Sequence, residues 1–187
     1  MLFDKIKNRR AVFPETFGEG PIEREEIQKL LEAANWAPTH RRTEPWRFKV
    51  FHEEVAKEKL ADFIVEKYQE SAERPSSVGA RIRRDKVLRS GAVIAICMQR
   101  DPKESIPEWE EIESVAMAVQ NMWLMTHELD LGGYWSSPVS IHQMGELIPL
   151  EEGERCLGLF YLGRLNGIPE AGTRETSIEE KTTWVEL

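Results

Sequence analysis

Apolar residues in this chain recur at two spacings, and the alternation between them predicts helices interleaved with strands. Leu2, Phe3 and Ile6 share one side of a short helix over 2–8, and Pro14, Gly18, Gly20 and Pro21 make residues 13–21 a loop. Ile27, Leu30, Leu31 and Ala34 follow the i, i+3, i+4, i+7 rule, which predicts a helix from about Ile22 to Trp36, stopped by Pro38. Trp46 to Phe51 reads as a strand, and Ala56, Leu60, Phe63, Ile64 and Tyr68 mark an amphipathic helix over 54–72. Two short apolar runs, Ala92 to Met98 and Arg155 to Gly163, have the uninterrupted pattern of strands covered on both faces.

The longest pattern lies at 108–129. Ser105-Ile-Pro-Glu108 offers a cap and an acidic first turn, which suits the positive end of a helix dipole. Ile112, Val115, Ala116, Val119, Trp123 and Thr126 form one stripe, while Met117, Ala118, Met122, Leu124 and Met125 are apolar on other faces. A helix apolar nearly all round is buried all round, so this one predicts a central core helix or a subunit interface. Gly132 to Ser137 reads as a strand leaving a glycine turn, and Ser140 to Ile148 as a small helix capped by Ser140. Residues 73–90, with Pro75, Ser76, Ser77 and Gly79 before Arg81, Arg83, Arg84, Lys86 and Arg89, read as a mobile basic surface segment. They form either a solvated charged face or a lid that attracts a phosphate. The tail, 164–187, is polar apart from Ile178, Trp184, Val185 and Leu187, and it is expected to dock on a partner subunit.

The chain has 187 residues, 41% hydrophobic and 31% charged, which fits one domain (1–187) of alternating helices and strands around a few-stranded central sheet. A net charge of -8 argues against a nucleic-acid partner. Cys97 and Cys156 lie in apolar runs without a Cys-x-x-Cys, as expected of buried free thiols in a reducing compartment. No apolar segment suits a signal peptide or a membrane span, so a cytoplasmic protein is expected. There is no Gly-x-Gly-x-x-Gly after a strand, no Walker loop, no Gly-x-Ser-x-Gly, and no metal-ligand spacing among His40, His52, His127 and His142. Chemistry, if present, falls to a bound cofactor.

Three segments stand apart: Asn8-Arg-Arg-Ala-Val12; Ala37-Pro-Thr-His-Arg-Arg-Thr-Glu-Pro-Trp-Arg-Phe48; and Gly132-Gly-Tyr-Trp-Ser-Ser137 with the strand Leu157 to Arg164 behind it. Together with Glu113 and Gln120-Asn121 in the long helix, their order and spacing resemble the FMN-dependent nitroreductase family, especially its short bacterial members. The resemblance spans essentially the whole chain. It implies an α+β fold with a central, mostly antiparallel sheet flanked by helices, in an intertwined homodimer with FMN bound at the subunit interface. It also implies NAD(P)H as co-substrate and a small electron-poor acceptor (nitroaromatic, quinone or enone).

The resemblance further implies that Arg9, Arg10 and Ala11 border the FMN phosphate and the polar flavin edge. A guanidinium fork suits that task, although two arginines at a helix end also read as solvated charge. Pro38, Thr39, His40 and Arg42 would reach the flavin from the second subunit, Trp135, Ser136 and Ser137 would meet it along their strand, and Arg174 would add a phosphate contact. Arg164 reads as a phosphate ligand or as surface charge. Ala11 replaces a usual Ser, Phe13 a usual cation beside the flavin pyrimidine, and Glu44 a usual Gln; the second of these leaves the tuning of the reduced flavin without its expected charge. Related folds remove halogen or break down flavin, and a flavin-binding protein without catalysis is a further reading.

Overall fold

The computed structural model describes residues 1–186; Leu187 lies outside the described residues. The regular elements are α1 (Leu2–Asn8), α2 (Arg24–Asn35), β1 (Trp46–Phe51), α3 (Glu54–Ser71), α4 (Ser77–Leu88), β2 (Ala92–Gln99), α5 (Glu108–Met125), β3 (Leu131–Ser136) and β4 (Glu154–Arg164). The strands form one antiparallel sheet in the order β1-β2-β4-β3. This is the α+β architecture, with an antiparallel sheet flanked by helices, that the family resemblance implies.

The two uninterrupted apolar runs become the central strands because they are covered on both faces. Along β2, Ala92, Ile94, Ile96 and Met98 face one core with Leu30 of α2 and Val115, Val119 and Met122 of α5. Val93, Ala95 and Cys97 face the other core with Leu60 and Ile64 of α3 and Met144. Strand β3 occupies an edge, and part of its outer side is taken by the chain leaving α1, where the Val12 N–H donates to the Gly133 carbonyl at 3.0 Å. Helix α2 begins where the Glu23 N–H donates to Glu26 Oε2 at 2.9 Å, one half of a reciprocal cap.

Several expectations change. The segment 73–90, expected as a mobile basic surface, has helix α4 at its middle, packed on α3 with Val87 fully buried. Ser76 is its N-cap and accepts the Gly79 N–H at 3.0 Å. The basic run is partly neutralised, because Arg84 pairs with Asp62 and Lys86 lies 3.7 Å from Glu15. Ser105 does not cap α5. Its hydroxyl donates to Asp101, and Pro107 holds the cap position before the acidic turn of Glu108, Glu110 and Glu111. That hydroxyl, with the Ser105 and Lys103 N–H groups, holds the Asp101 carboxyl down to about 2. Ser140 likewise caps nothing, since residues Val139–Glu146 form a 3-10 turn entered through Pro138, and the Ser140 hydroxyl is buried without a partner. Finally, α5 is not buried all round in one chain. Val115, Ala118, Val119 and Met122 are buried, whereas Trp109, Glu113, Ala116 and Met117 are exposed.

Two substitutions on α3 separate core from surface. Leu60→Ala should cost about 2–5 kcal/mol in urea unfolding, because Leu60 is fully buried between α3 and the sheet. Val55→Ala, one turn earlier on the exposed side, should stay within about 0.5 kcal/mol.

Candidate functional site

Arg9 and Arg10 sit where α1 ends and the chain turns extended, with Arg9 at φ -59 and ψ 128. The Trp123 indole N–H donates to the Arg10 carbonyl at 3.1 Å, and the Arg9 guanidinium lies 4.5 Å from the Trp123 ring centroid. Arg10 donates to the carbonyls of Lys7 and Arg9, and through Nε to that of Glu170 at 3.3 Å. That last bond draws the tail across the arginines, so closely that a Cβ on Gly172 would overlap the Arg10 guanidinium. Arg174 arrives beside Arg9. Burial, then the charges of Arg10 and Arg174, push the Arg9 guanidinium below its usual value. None of the three pairs with a carboxylate among the described residues. A cavity of about 720 Å³ opens beside them, lined by Arg10, His127, Asp130 and Glu170 among others. Three guanidinium groups without an ion-pair partner have the donor chemistry to meet a doubly charged anion such as a phosphate monoester.

The other end of β3 carries Trp135, Ser136 and Ser137. Trp135 packs against Gly158 of β4, where any Cβ would overlap its indole nitrogen. Ser136 and Ser137 line a cavity of about 260 Å³ with Lys86 and Tyr161. From Gly133, where the arginine segment is anchored, to Ser137 is about 13 Å along the strand. The sequence places Lys86 in a basic surface segment read as a charged face or a lid, not beside this strand. On a helix, its i+3 relation to Arg83 turns both toward the sheet, and Lys86 Nζ lies 5.5 Å from the Tyr134 ring centroid. Tyr134 in turn packs against Phe13 at 4.6 Å. A cation therefore stands near the position where Phe13 removes one.

The third segment lies elsewhere. His40 Nδ1 is 2.5 Å from Glu110 Oε2, and Arg41 donates to the Ser105 carbonyl at 3.0 Å, so the loop is tied to the start of α5. Thr39 shares a hydroxyl bond with Thr43 at 3.1 Å, Pro38 is exposed, and Arg42 is exposed with no side-chain partner among the described residues. Arg41, Arg42 and Glu44 all have positive φ, at 50, 56 and 43 degrees. Such strain in non-glycine residues costs on the order of 1 kcal/mol each and clusters at functional loops. From Glu110 to Trp123 the axis of α5 rises about 20 Å. One chain therefore brings Arg9, Arg10 and Arg174 together, and holds Trp135, Ser136 and Ser137 along the same strand, but leaves Pro38, Thr39, His40 and Arg42 at the far end of α5. Ala11 is exposed between the two anchors of its segment and offers no side-chain donor. Arg164 forms a two-pronged pair with Glu26 at 2.8 and 2.6 Å and also bonds the Pro21 carbonyl, which makes it a structural tie.

The nitroreductase family model matches residues 6–164. YfhC of Bacillus subtilis (strain 168), which carries the name of an NAD(P)H nitroreductase, is 26% identical over 98% of this chain and 93% of its own. A nitroreductase-like family protein from Bacillus cereus superposes with a TM-score of 0.83 at 30% identity, covering 100% of this chain and 96% of that one. Iodotyrosine deiodinase, solved with FMN and 3-iodo-L-tyrosine, shares the fold at a TM-score of 0.73 and 20% identity, over 98% and 100% of the two chains. No helix among the described residues is long and apolar enough to cross a membrane.

His127 reports on the arginine cluster. Burial, then the charges of Arg9, Lys5 and Arg10, hold its imidazole below the usual value. The fold thus favours neutral His127, and stability present above the ordinary imidazole pKa falls as pH drops below it toward the depressed one. In a proton NMR titration, His127 should titrate below an unstructured histidine, and added inorganic phosphate should raise its pKa by offsetting the arginines. A value indifferent to saturating phosphate would remove the anion from this cluster.

Proposed function

The chain belongs to the nitroreductase family, and on that premise we propose that it is an FMN-dependent oxidoreductase that uses NAD(P)H to reduce a small electron-poor acceptor: a nitroaromatic, a quinone or an enone. The observation that carries this reading is the convergence of Arg9, Arg10 and Arg174 without a carboxylate among them. The donor set fits FMN. The three guanidinium groups would hold its phosphate at one end of β3. Ser136, Ser137 and Lys86 offer hydroxyls and a positive charge at the other end, and Trp135 forms a wall between. When bound, FMN supplies two-electron transfer between a nicotinamide and an acceptor. The chain's own residues orient both substrates and keep water from one side of the cleft. Lys86, in the place left open by Phe13, favours negative charge at the polar end of the cleft.

The loop of Pro38, Thr39, His40 and Arg42 completes the cleft only from a second copy of the chain, because α5 separates it from the arginines within one copy. The exposed side of α5, with Trp109, Ala116 and Met117, and the exposed apolar residues Leu2, Phe3 and Ile6 of α1 supply the surface for that homodimer. The tail from 164 to 187 continues over the partner through Ile178, Trp184 and Val185, each more than two-thirds exposed in the single chain. Nicotinamide and acceptor use one site in turn, so initial rates follow a ping-pong pattern.

The purified protein should bind added FMN, lose its flavin colour with NADH or NADPH in the absence of oxygen, and regain it on adding a nitroaromatic, quinone or enone. Halophenols belong in the same screen because the fold is shared with iodotyrosine deiodinase, and turnover of these alone would replace the acceptor class. Sedimentation should show a dimer. Met117→Arg, which places a charge on the exposed side of α5, should yield monomer and weaken FMN binding at least about tenfold, whereas a monomer with unchanged FMN affinity would contradict the shared cleft.

A further inference from the structure

Beyond Ser137 the cleft continues into a second cavity of about 240 Å³ that the cofactor reading does not use. It shares Ile64, Arg83, Ser137 and Pro138 with the cavity beside Ser136 and Lys86, and Tyr68 and Ser140 close its far side. Its polar groups have capacity to spare. Arg83 makes one side-chain hydrogen bond, to the Gly79 carbonyl at 3.0 Å, so most of its five N–H groups stay free. Its guanidinium lies 3.8 Å from the Tyr68 ring centroid, which fixes the plane of the fork. On the same helix, Arg84 and Lys86 have carboxylate partners, whereas Arg83 has none among the described residues. The Tyr68 hydroxyl oxygen accepts the Ser76 N–H at 3.2 Å and keeps its own proton to donate. The Ser140 hydroxyl is 97% buried by residue and has no hydrogen-bond partner. A buried hydroxyl left unsatisfied costs about 1–3 kcal/mol, so its persistence points to a ligand that satisfies it.

We propose that this cavity, built by Tyr68, Arg83, Ser137 and Ser140, binds the carboxylate of the acceptor, which makes an aromatic or other planar carboxylic acid the preferred substrate class. The proposal rests on the reading of the neighbouring cleft as the place of electron transfer. A flat guanidinium fork with donor hydroxyls around it matches a carboxylate in two-pronged geometry. Ile64 and Pro138 give the apolar stem a dry wall, and the shared opening past Ser137 leads the reducible end toward Ser136 and Trp135.

The test compares 4-nitrobenzoate with its neutral isostere 4-nitrobenzamide. With the FMN-loaded protein, calorimetric affinity and kcat/KM should favour the carboxylate about tenfold or more. Arg83→Met should abolish the preference, and Ser140→Ala, a milder change in the core, should reduce it; circular dichroism checks that both fold. Equal affinities for the two compounds, or a preference that survives in folded Arg83→Met, would overturn the proposal. Displacement of 4-nitrobenzoate by FMN would overturn it too, by assigning the cavity to the cofactor. If the protein takes up no FMN, the reading of the function fails separately, and binding of 4-nitrobenzoate to the cofactor-free protein that disappears in Arg83→Met still supports the carboxylate site.

Discussion

Positive charge gathered without an acid to offset it is the constraint around which this chain is arranged. Arg9, Arg10 and Arg174 come from opposite ends of the sequence, and burial of Arg9, then the charges of the other two, lower its pKa from the usual value. The fold accepts that cost by giving Arg9 the face of Trp123 and Arg10 three backbone carbonyls, none of which neutralises a charge. Trp123 holds the segment from α5 and Val12 holds it to β3, so Arg9 and Arg10 are placed by the fold itself. Placement in advance is what converts charge into affinity, because the ordering has already been done by the fold.

The second constraint is length. Helix α5 acts as a spacer of about 20 Å between the arginines and the loop of Thr39 to Arg42. The loop is strained at Arg41, Arg42 and Glu44, and it is tethered to Glu110 and Ser105. Strain and tethering together shape an exposed surface in which Pro38 and Arg42 face solvent. In the proposed homodimer, a two-fold arrangement through the exposed side of α5 would bring each loop to the other copy's arginines, which would make folding, dimer formation and cofactor binding linked equilibria.

Much of this was legible in the residues. The apolar runs at Ala92 to Met98 and Arg155 to Gly163 have the pattern of doubly covered strands, and they form the two central strands. Arg9, Arg10 and Arg174 were singled out by family resemblance, and the structure brings them together. Other features were hidden for physical reasons. Ser105 and Ser140 have the residue type of a helix cap, but Asp101 captures the first hydroxyl and burial takes the second. Proline and serine before α4 mark the point where a helix begins. Arg83 and Lys86 stand out in the sequence only as part of a basic run, and their place beside the end of β3 appears once helical spacing sets their direction. The separation of His40 from Arg9 was also beyond the sequence, because it depends on how α5 crosses the sheet.

The central claim is that a phosphate is what the three arginines hold. Riboflavin is FMN without its phosphate, so the dissociation constants of the two flavins, measured side by side on this protein, isolate that group. Several charge-assisted hydrogen bonds at about 1.5–3 kcal/mol each predict FMN binding at least about a hundredfold tighter than riboflavin, with the gap collapsing when Arg9 and Arg10 are both changed to alanine. Equal affinities for FMN and riboflavin in the unaltered protein would contradict the account.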